Sequence, residues 1–191
     1  FGNIENSKFT AVKKIVSNTS YEELKCVGLY PEFDQLEAIV YIKKDFGYGG
    51  GICDKGTPEY VRFYLSYDNG VTWEDQGVTS FQAQDIPGPK PLEYAVLLKI
   101  QPKKKFCTIP NLPKVRAILS WNVEPPPNTP GYIPVWGNVT NGRVQIDTFK
   151  FFINFPITSL LKKSALISIL KENNIIPQNI TMAEAEKLDL A

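Results

Sequence analysis

The sequence predicts a mainly β protein, an antiparallel two-sheet β-sandwich that carries a C-terminal helical tail. Between residues 21 and 152, short segments alternate apolar with polar side chains, and Gly, Pro, Asn and Asp separate these segments. No helical periodicity lies between them. Because strands joined by short connections pair antiparallel, a parallel α/β sheet is not expected.

The first 20 residues are predicted as an N-terminal extension of undecided secondary structure. Phe9, Val12 and Val16 have helical spacing, yet the run TAVKKIV is β-branched and equally compatible with a strand. The sandwich domain is assigned to residues 21-155, and a helical tail or linker to residues 156-191.

Two segments of the domain give the clearest strand signal because their side chains alternate with a period of two. The first, LEAIVYI, places four side chains on one face: Leu36, Ala38, Val40 and Ile42. The second, YVRFYLSY, places Val61, Phe63, Leu65 and Tyr67 opposite Tyr60, Arg62, Tyr64 and Ser66. Further strands are predicted at 22-30, 71-75, 77-84, 92-101, 115-122, 135-139 and 143-152. Short strands at this spacing resemble those of immunoglobulin-like and fibronectin-III-like sandwiches.

Turn signals separate these strands. Asn69-Gly70 and Asn141-Gly142 suit tight hairpins, because both residue types tolerate the positive φ that matches strand twist. The proline-rich stretches 86-91 and 124-134 cannot donate to a strand ladder, so they are predicted to be loops or sheet edges.

The tail begins with the run ITSLLKKSALISILKEN, which is typical of a helix capped by Thr158 or Ser159. Its apolar side chains cover more than half of the helix circumference, so a helix over 158-172 is expected to be buried on more than one side. The predicted interface residues are Leu161, Leu166, Ile169 and Leu170. A second short helix is expected where Thr181 and Glu184 have the spacing of a capping box.

The stretch SYDNGVTW matches a hairpin motif at every specified position, S-x-D-x-G-x-T-W, through Ser66, Asp68, Gly70, Thr72 and Trp73. It resembles the Asp box, in which the aspartate accepts backbone hydrogen bonds and the aromatic ring packs under the turn. The resemblance covers these eight residues only. Sialidase-type β-propellers repeat the box along a much longer chain, so one copy implies a structural turn more than a sugar-processing enzyme.

Composition excludes several function classes. The 191 residues include no histidine, which removes Ser-His-Asp and Cys-His catalysis and histidine-ligated zinc. The 21 basic and 20 acidic side chains nearly cancel, so no long-range field would attract nucleic acid. No apolar run is long enough for a membrane span.

The three cysteines, Cys26, Cys53 and Cys107, include no C-x-x-C pair. They are interpreted as buried or inert thiols, with a thiolate metal site including Asp54 as the alternative. The odd cysteine count, together with the lack of a visible leader, leans toward a cytoplasmic location. No cofactor is expected.

Four aromatic residues are the best candidates for ligand contacts: Tyr48, Trp121, Tyr132 and Trp136. Tyr48 belongs to the glycine-rich loop 46-56, and the other three lie in or beside the proline-rich loop 123-136. Rigid aromatic side chains on preorganised loops contact sugars or proteins at low entropic cost. The alternative is that Trp121 and Trp136 belong to flanking strands and fill the core.

Acidic residues were weighed as a glycosidase pair, since such enzymes need two carboxyls facing each other across a cleft. The candidates are Glu22, Glu23, Glu74, Asp75 and Asp85. Acids at strand ends are expected to be solvated, so a carboxylate-only hydrolase ranks third. The leading expectation is a non-enzymatic interaction or structural module that binds a protein partner or other domains of its own chain, and a carbohydrate-binding module is second.

Overall fold

A computed structural model describes residues 16–105 and 110–148, together with Ser168 and Lys171, which are helical. The chain divides into two units, Phe1–Thr148 and Phe149–Ala191. The predicted tail interface of Leu161, Leu166, Ile169 and Leu170 lies outside the described residues, as do Cys107 and the second predicted helix.

Seven strands form the described domain, and the prediction of a mainly β fold is confirmed. A single 3-10 turn, Pro31–Phe33, interrupts them. The strands are β1 (Glu22–Tyr30), β2 (Gln35–Ile42), β3 (Thr57–Ser66), β4 (Glu74–Ala83), β5 (Leu92–Lys99), β6 (Lys114–Trp121) and β7 (Val139–Arg143).

The strands form two sheets in which every pairing is antiparallel. The first sheet has the order β1-β2-β5, and the second has the order β4-β3-β6-β7. Thus the fourth strand joins the sheet of the third, and the fifth returns to the first sheet. The prediction of two antiparallel sheets is confirmed.

One apolar core lies between the sheets and follows the period of two. Leu36, Ala38, Val40 and Ile42 of β2 are all buried, as the alternation predicts. Val61, Phe63 and Leu65 of β3 meet them from the second sheet, and all belong to the same core cluster. Burial of side chains of this size is the main source of stability in a domain that lacks metals and disulfides among its described residues.

The outer face of β3 is also buried, which the alternation alone did not predict. Arg62 is 5% exposed and Tyr64 is 0% exposed. The proline-rich loop folds over them: Arg62 Nε donates to Pro125 O at 2.8 Å, and Tyr64 Oη donates to Pro126 O at 3.4 Å. Prolines donate no backbone hydrogen bond, so the loop is attached through its carbonyls, which accept hydrogen bonds from side chains of the sheet below.

Two predicted turns have different outcomes. Asn69 and Gly70 both have positive φ, 64° and 99°, in the connection between the antiparallel strands β3 and β4. The predicted hairpin at Asn141-Gly142 is wrong, because both residues lie inside β7 and pair with Arg116 and Val115. A Cβ at Gly142 would lie 3.2 Å from Val27 O, so glycine allows the close approach of β1 there.

Three predicted strand boundaries also differ. The segments 71-75 and 77-84 form one strand, β4, with a bulge where Gly77 pairs with Phe63 and Asp75 pairs with Tyr64. The segment 135-139 contributes only its last residue to β7. Of the segment 143-152, only Arg143 is in a strand among the residues described up to 148. Within the described part of the chain, we find no helix with the length and hydropathy to cross a bilayer.

Candidate functional site

A cavity of about 220 Å³ lies at one end of the domain, where both sheets and the glycine-rich loop meet. It is lined by Tyr21, Glu22, Gly47, Tyr48, Trp121 and Trp136. Gly47 is exposed and both tryptophans are half-buried, whereas Glu22 and Tyr48 are buried. The cavity therefore reaches from the surface to the edge of the core.

Tyr21 is the centre of the aromatic wall. Its ring contacts Trp136 edge-to-face at a centroid distance of 5.5 Å and an interplanar angle of 82°. It contacts Tyr48 in the same way at 6.3 Å and 74°. Edge-to-face packing is a favoured arrangement of aromatic pairs. It makes these rings the walls of a recess, not a flat platform.

Trp136 is held in the wall by its neighbours on both sides. Asn18 forms a parallel bridge to it, with Asn18 N donating to Val135 O at 3.0 Å and Gly137 N donating to Asn18 O at 2.9 Å. Gly137 has φ +99°, and a Cβ there would lie 2.3 Å from Leu119 O, so only glycine fits. This backbone path fixes the position of Trp136 in the wall of the cavity.

Tyr48 is held by the glycine-rich loop. The Asp85 carboxylate accepts hydrogen bonds from Tyr48 N at 2.7 Å and from Gly50 N at 3.2 Å. Tyr48 Oη donates to Tyr21 O at 2.8 Å. These bonds fix the conformation of the loop around Tyr48. They also assign Asp85, one of the candidate catalytic acids, to holding the loop in place.

Two buried carboxyls lie at this end of the core. Glu22 is 1% exposed and Glu59 is 0% exposed. Oε1 of Glu22 and both carboxyl oxygens of Glu59 have no hydrogen-bond partner among the described residues. Buried polar atoms without partners are uncommon in folded proteins, and each such atom calls for an explanation.

Burial controls the protonation of these acids. Desolvation raises the pKa of Glu22 to about 7, although the positive charge of Lys43 opposes the shift. Desolvation, reinforced by the charge of Glu22, raises the pKa of Glu59 to about 9. Burial and these two acids raise the pKa of Tyr48 as well. All three groups therefore favour the neutral state near pH 6.

The other candidate acids are paired. Glu23 contacts Lys25 at 3.0 Å and also binds Lys43, and Glu74 binds Lys103. Asp75 receives both Arg62 Nη1 contacts, at 2.9 and 3.1 Å. The expectation that acids at strand ends are solvated is wrong for Glu22, and Asp75 is largely buried beneath the proline-rich loop.

The turn at residues 66–73 is held by side chains of its own. Asp68 accepts hydrogen bonds from Thr72 N at 2.9 Å and from Ser66 Oγ at 2.8 Å, and Gly70 N donates to Ser66 Oγ at 2.7 Å. These bonds hold the pKa of Asp68 well below its usual range. The Trp73 ring lies under the Arg116 guanidinium at 4.3 Å from its centroid.

A second recess of about 430 Å³ borders this turn. Its charged side chains are all cationic: Lys114, Arg116 and Arg143. Two of them already have local partners, since Arg116 donates to Asn141 and Pro130 and Arg143 donates to Asn69 and Leu112. These local hydrogen bonds indicate a structural role for both arginines.

Three of the four predicted ligand-contact residues meet in the aromatic cavity: Tyr48, Trp121 and Trp136. Tyr132 does not line it. The expectation that Tyr48 is presented on an exposed loop is wrong, because Tyr48 is fully buried. Trp121 and Trp136 are neither core nor surface but half-buried between the two.

Glu59, Tyr21 and the buried state of Glu22 were missed in the sequence. The signal for the acids was present, since Glu59 is in phase with Val61 and Glu22 is in phase with Leu24. Extending the inward-facing alternation by one step would have placed both carboxyls at the core. Tyr21 precedes the first strand, and no pattern marks it.

The cysteines offer no metal site in the described part of the chain. Cys26 and Cys53 are exposed free thiols, so of the interpretation as buried or inert thiols the first alternative is wrong for these two. No group of three or more Cys, Asp or Glu side chains among residues 16–105 and 110–148 is arranged to hold a metal ion.

No protein-family model matches the chain, and no curated protein matches it at a significant level.

Proposed function

We propose that this chain carries a non-enzymatic, immunoglobulin-like binding module of a larger protein or assembly, and that the aromatic cavity receives one side-chain-sized group of a protein partner. The observation that carries the proposal is the cavity itself. Rings from separate segments of the fold converge at the surface end of the core around the buried carboxyl of Glu22, whose Oε1 has no hydrogen-bond partner among the described residues. Buried aromatic anchor sites of this kind dominate the energy of many protein interfaces.

Strand order supports the immunoglobulin-like assignment. Immunoglobulin constant-type domains divide seven strands between two antiparallel sheets as ABED and CFG. Here the division is β1-β2-β5 and β4-β3-β6-β7, which differs only in the sheet that the fourth strand joins. We therefore assign the domain to a variety of the same architecture in which this strand has changed sheets.

The charge state of the acids favours binding over hydrolysis. A glycosidase pair works because one carboxyl stays ionised while the other stays protonated. The pKa values of Glu22 and Glu59 are both raised, to about 7 and about 9, and burial is the first cause in each case. Both acids are therefore neutral at pH 6, so neither is the permanently ionised carboxylate that such a pair requires.

Ring geometry favours a protein partner over a carbohydrate. A sugar-binding platform needs exposed rings that face one way. The interplanar angles of Tyr21 with Trp136 and with Tyr48 are 82° and 74°, and Tyr48 is buried. A cavity of about 220 Å³ is also smaller than the usual ligand pocket of roughly 300 Å³ or more. It suits one side chain better than an oligosaccharide.

We assign the 66–73 turn a structural role as a single Asp box. This role is supported by the hydrogen bonds within the turn: Asp68 accepts from Thr72 and from Ser66, and Ser66 accepts from Gly70. The carboxylate is thereby fully used within the hairpin, and the turn closes β3 onto β4.

Tryptophan fluorescence tests the proposal, because two of the three tryptophans line the cavity. The domain would be titrated with N-acetyl amides of lysine, trimethyllysine, arginine, leucine and tyrosine, and separately with mono- and oligosaccharides. We expect saturable changes with one or more amino-acid amides and none with sugars. Trp136→Ala should abolish the response, whereas the matched variant Trp73→Phe, on the turn, should retain it.

A response to oligosaccharides alone would replace the protein-partner proposal by the carbohydrate alternative. A response that survives Trp136→Ala would place binding outside the cavity and overturn its role.

A further inference from the structure

The walls of the cavity have the electrostatic character of a cation site. The faces of tryptophan and tyrosine rings carry negative electrostatic potential, and they attract a desolvated cation that lies within about 6 Å of the ring centroid. Trp121, Trp136, Tyr21 and Tyr48 approach the cavity from four different segments of the chain. A cation in the cavity would therefore lie close to rings from several segments.

Glu22 gives the cavity an acceptor for positive charge. It lines the cavity, is 1% exposed, and its Oε1 has no partner among the described residues. A buried carboxyl without a partner destabilises the fold unless something compensates it. A cation beside Oε1 supplies a countercharge and favours the ionised form.

The surrounding charges leave this attraction in place. Lys43 is the cation nearest to Glu22, but its Nζ is held by Glu23 and donates to Thr19 O at 2.9 Å. Glu59, from the second sheet, adds a further acid that interacts with Glu22. Tyr48 faces the same space, and burial raises its pKa, so it adds no negative charge near neutral pH and the net field favours a positive ligand.

We infer that the group bound in this cavity is a methylated ammonium, presented as an N-methylated lysine side chain of a protein partner. This inference rests on the proposed function. An unmodified lysine ammonium is strongly hydrated and has three N–H donors to satisfy. Among the lining side chains Glu22 offers the unused carboxyl oxygen, so the remaining donors would be left without partners. A methylated ammonium has few or no such donors and keeps its charge.

The experiment compares three isolated ligands by isothermal titration calorimetry at pH 8. They are the N-acetyl amides of trimethyllysine, of unmodified lysine, and of the neutral analogue in which carbon replaces the ammonium nitrogen. We expect trimethyllysine to bind at least about tenfold more tightly than either of the others, as a desolvated cation–π contact implies. Phosphocholine serves as a further arm for a lipid-derived source of the same group.

Variants separate charge recognition from shape recognition. Glu22→Gln should weaken trimethyllysine binding about fivefold or more at pH 8 and leave the neutral analogue unaffected. Trp121→Leu, which keeps an apolar wall without the ring, should do the same and serves if Glu22→Gln does not fold. The control is Glu37→Gln, on β2 at the far end from Glu22, which should bind like the wild type.

Binding should also be linked to pH. Because the ligand favours ionised Glu22, complex formation releases a proton, so affinity for trimethyllysine should rise as the pH increases from about 6 to 8 and the rise should vanish in Glu22→Gln. Lys43, Glu59 and Tyr48 face the same carboxyl, but none of them is removed by that substitution.

The outcomes distinguish this inference from the proposed function. Equal binding of the charged and neutral analogues, abolished by Trp136→Ala, would overturn the cation inference and leave a binding cavity. Tighter binding of phosphocholine would overturn the assignment to a protein side chain. If no amino-acid amide binds, the proposed function fails together with the inference.

Discussion

The two faces of strand β3 differ in whether their buried ionisable side chains have hydrogen-bond partners. On the outer face, Arg62 donates to Pro125 O at 2.8 Å, to Asp75 at 2.9 Å and to Glu124 at 2.6 Å. On the inner face, three residues earlier, Glu59 is completely buried and neither carboxyl oxygen has a partner among the described residues. The same strand therefore carries a saturated network and an unsaturated acid.

We interpret the partnered group as structural and the unpartnered acid as functional. A buried charge whose donors are all used stabilises the position of its neighbours, here the proline-rich loop. A buried acid without partners opposes folding, so its retention needs another reason. We connect Glu59, and Glu22 beside it, with the cavity. Removing partnered groups should therefore destabilise the domain, and neutralising unpartnered acids should stabilise it.

The largest expected effect is at Arg62. Arg62→Ala leaves Asp75 buried without its cation and releases Pro125, so the free energy of unfolding should fall by about 3 kcal/mol. Urea denaturation measures the change. The matched control is Arg143→Ala, an exposed arginine with two hydrogen bonds, for which we expect less than about 1 kcal/mol. A similar small loss at Arg62 would mean that the loop does not depend on the network.

Next comes Asn138, whose side-chain amide takes the place of a backbone partner for β1. It accepts from Leu24 N at 2.7 Å and donates to Leu24 O at 3.0 Å. Asn138→Ala should lower the free energy of unfolding by about 2 kcal/mol, because Leu24 N then loses its acceptor. Thermal unfolding of this variant and of Asn141→Ala, whose amide is exposed, compares the two. Equal losses would argue against the special role of Asn138.

The opposite sign is expected for Glu59→Gln. Since the folded-state pKa is raised from 4.5 to about 9, the folded state holds its proton more tightly than the unfolded state. The wild type should therefore lose stability as the pH rises from about 5 to 9. Glu59→Gln should be clearly more stable than the wild type at pH 9 and nearly equal to it at pH 5.

Denaturation at several pH values tests this prediction, with Glu32→Gln, an exposed acid, as the control. If the wild type were as stable at pH 9 as at pH 5, the acid would have partners that restore its ionised form.

The smallest effect is expected at Asp68. Its carboxylate is exposed but fully engaged by Thr72 and Ser66, and its pKa is held low. Asp68→Ala should lower the melting temperature slightly at neutral pH, and the gap to the wild type should narrow as the pH falls below about 4, because a depressed pKa stabilises only above that range. Calorimetric scans at pH 7 and pH 3 check both statements, and an unchanged melting temperature at pH 7 would contradict the structural role of the turn.

Most of the fold was readable from local alternation. Leu36 to Ile42 and Val61 to Leu65 specify their buried faces because a strand has a period of two. The buried outer face of β3 was not readable, since it depends on Pro125 and its neighbours folding back over Arg62 from more than 60 residues away. The predicted hairpin at Asn141-Gly142 was wrong for a related reason. Gly142 allows the close approach of Val27 from another strand, and a local turn signal does not reveal such a contact.

The site was readable in part. Trp121, Trp136 and Tyr48 were selected because rigid aromatics near loops often contact ligands, but their convergence on Tyr21 is a tertiary fact. Glu22 was a candidate catalytic acid, and the expectation that it is solvated was wrong. An acid at the end of an apolar alternation can be solvated or buried, and only the packing around it decides.

The parallel bridge at Asn18 links the cavity to the chain that precedes the first strand. Ser17 N and Asn18 N donate to the carbonyls of Pro134 and Val135, so the two stretches run side by side and in the same direction. A mechanical load applied upstream of Val16 would act on these bonds in shear and would reach Trp136 before either sheet began to open. Tension on that part of the chain would thus deform the cavity.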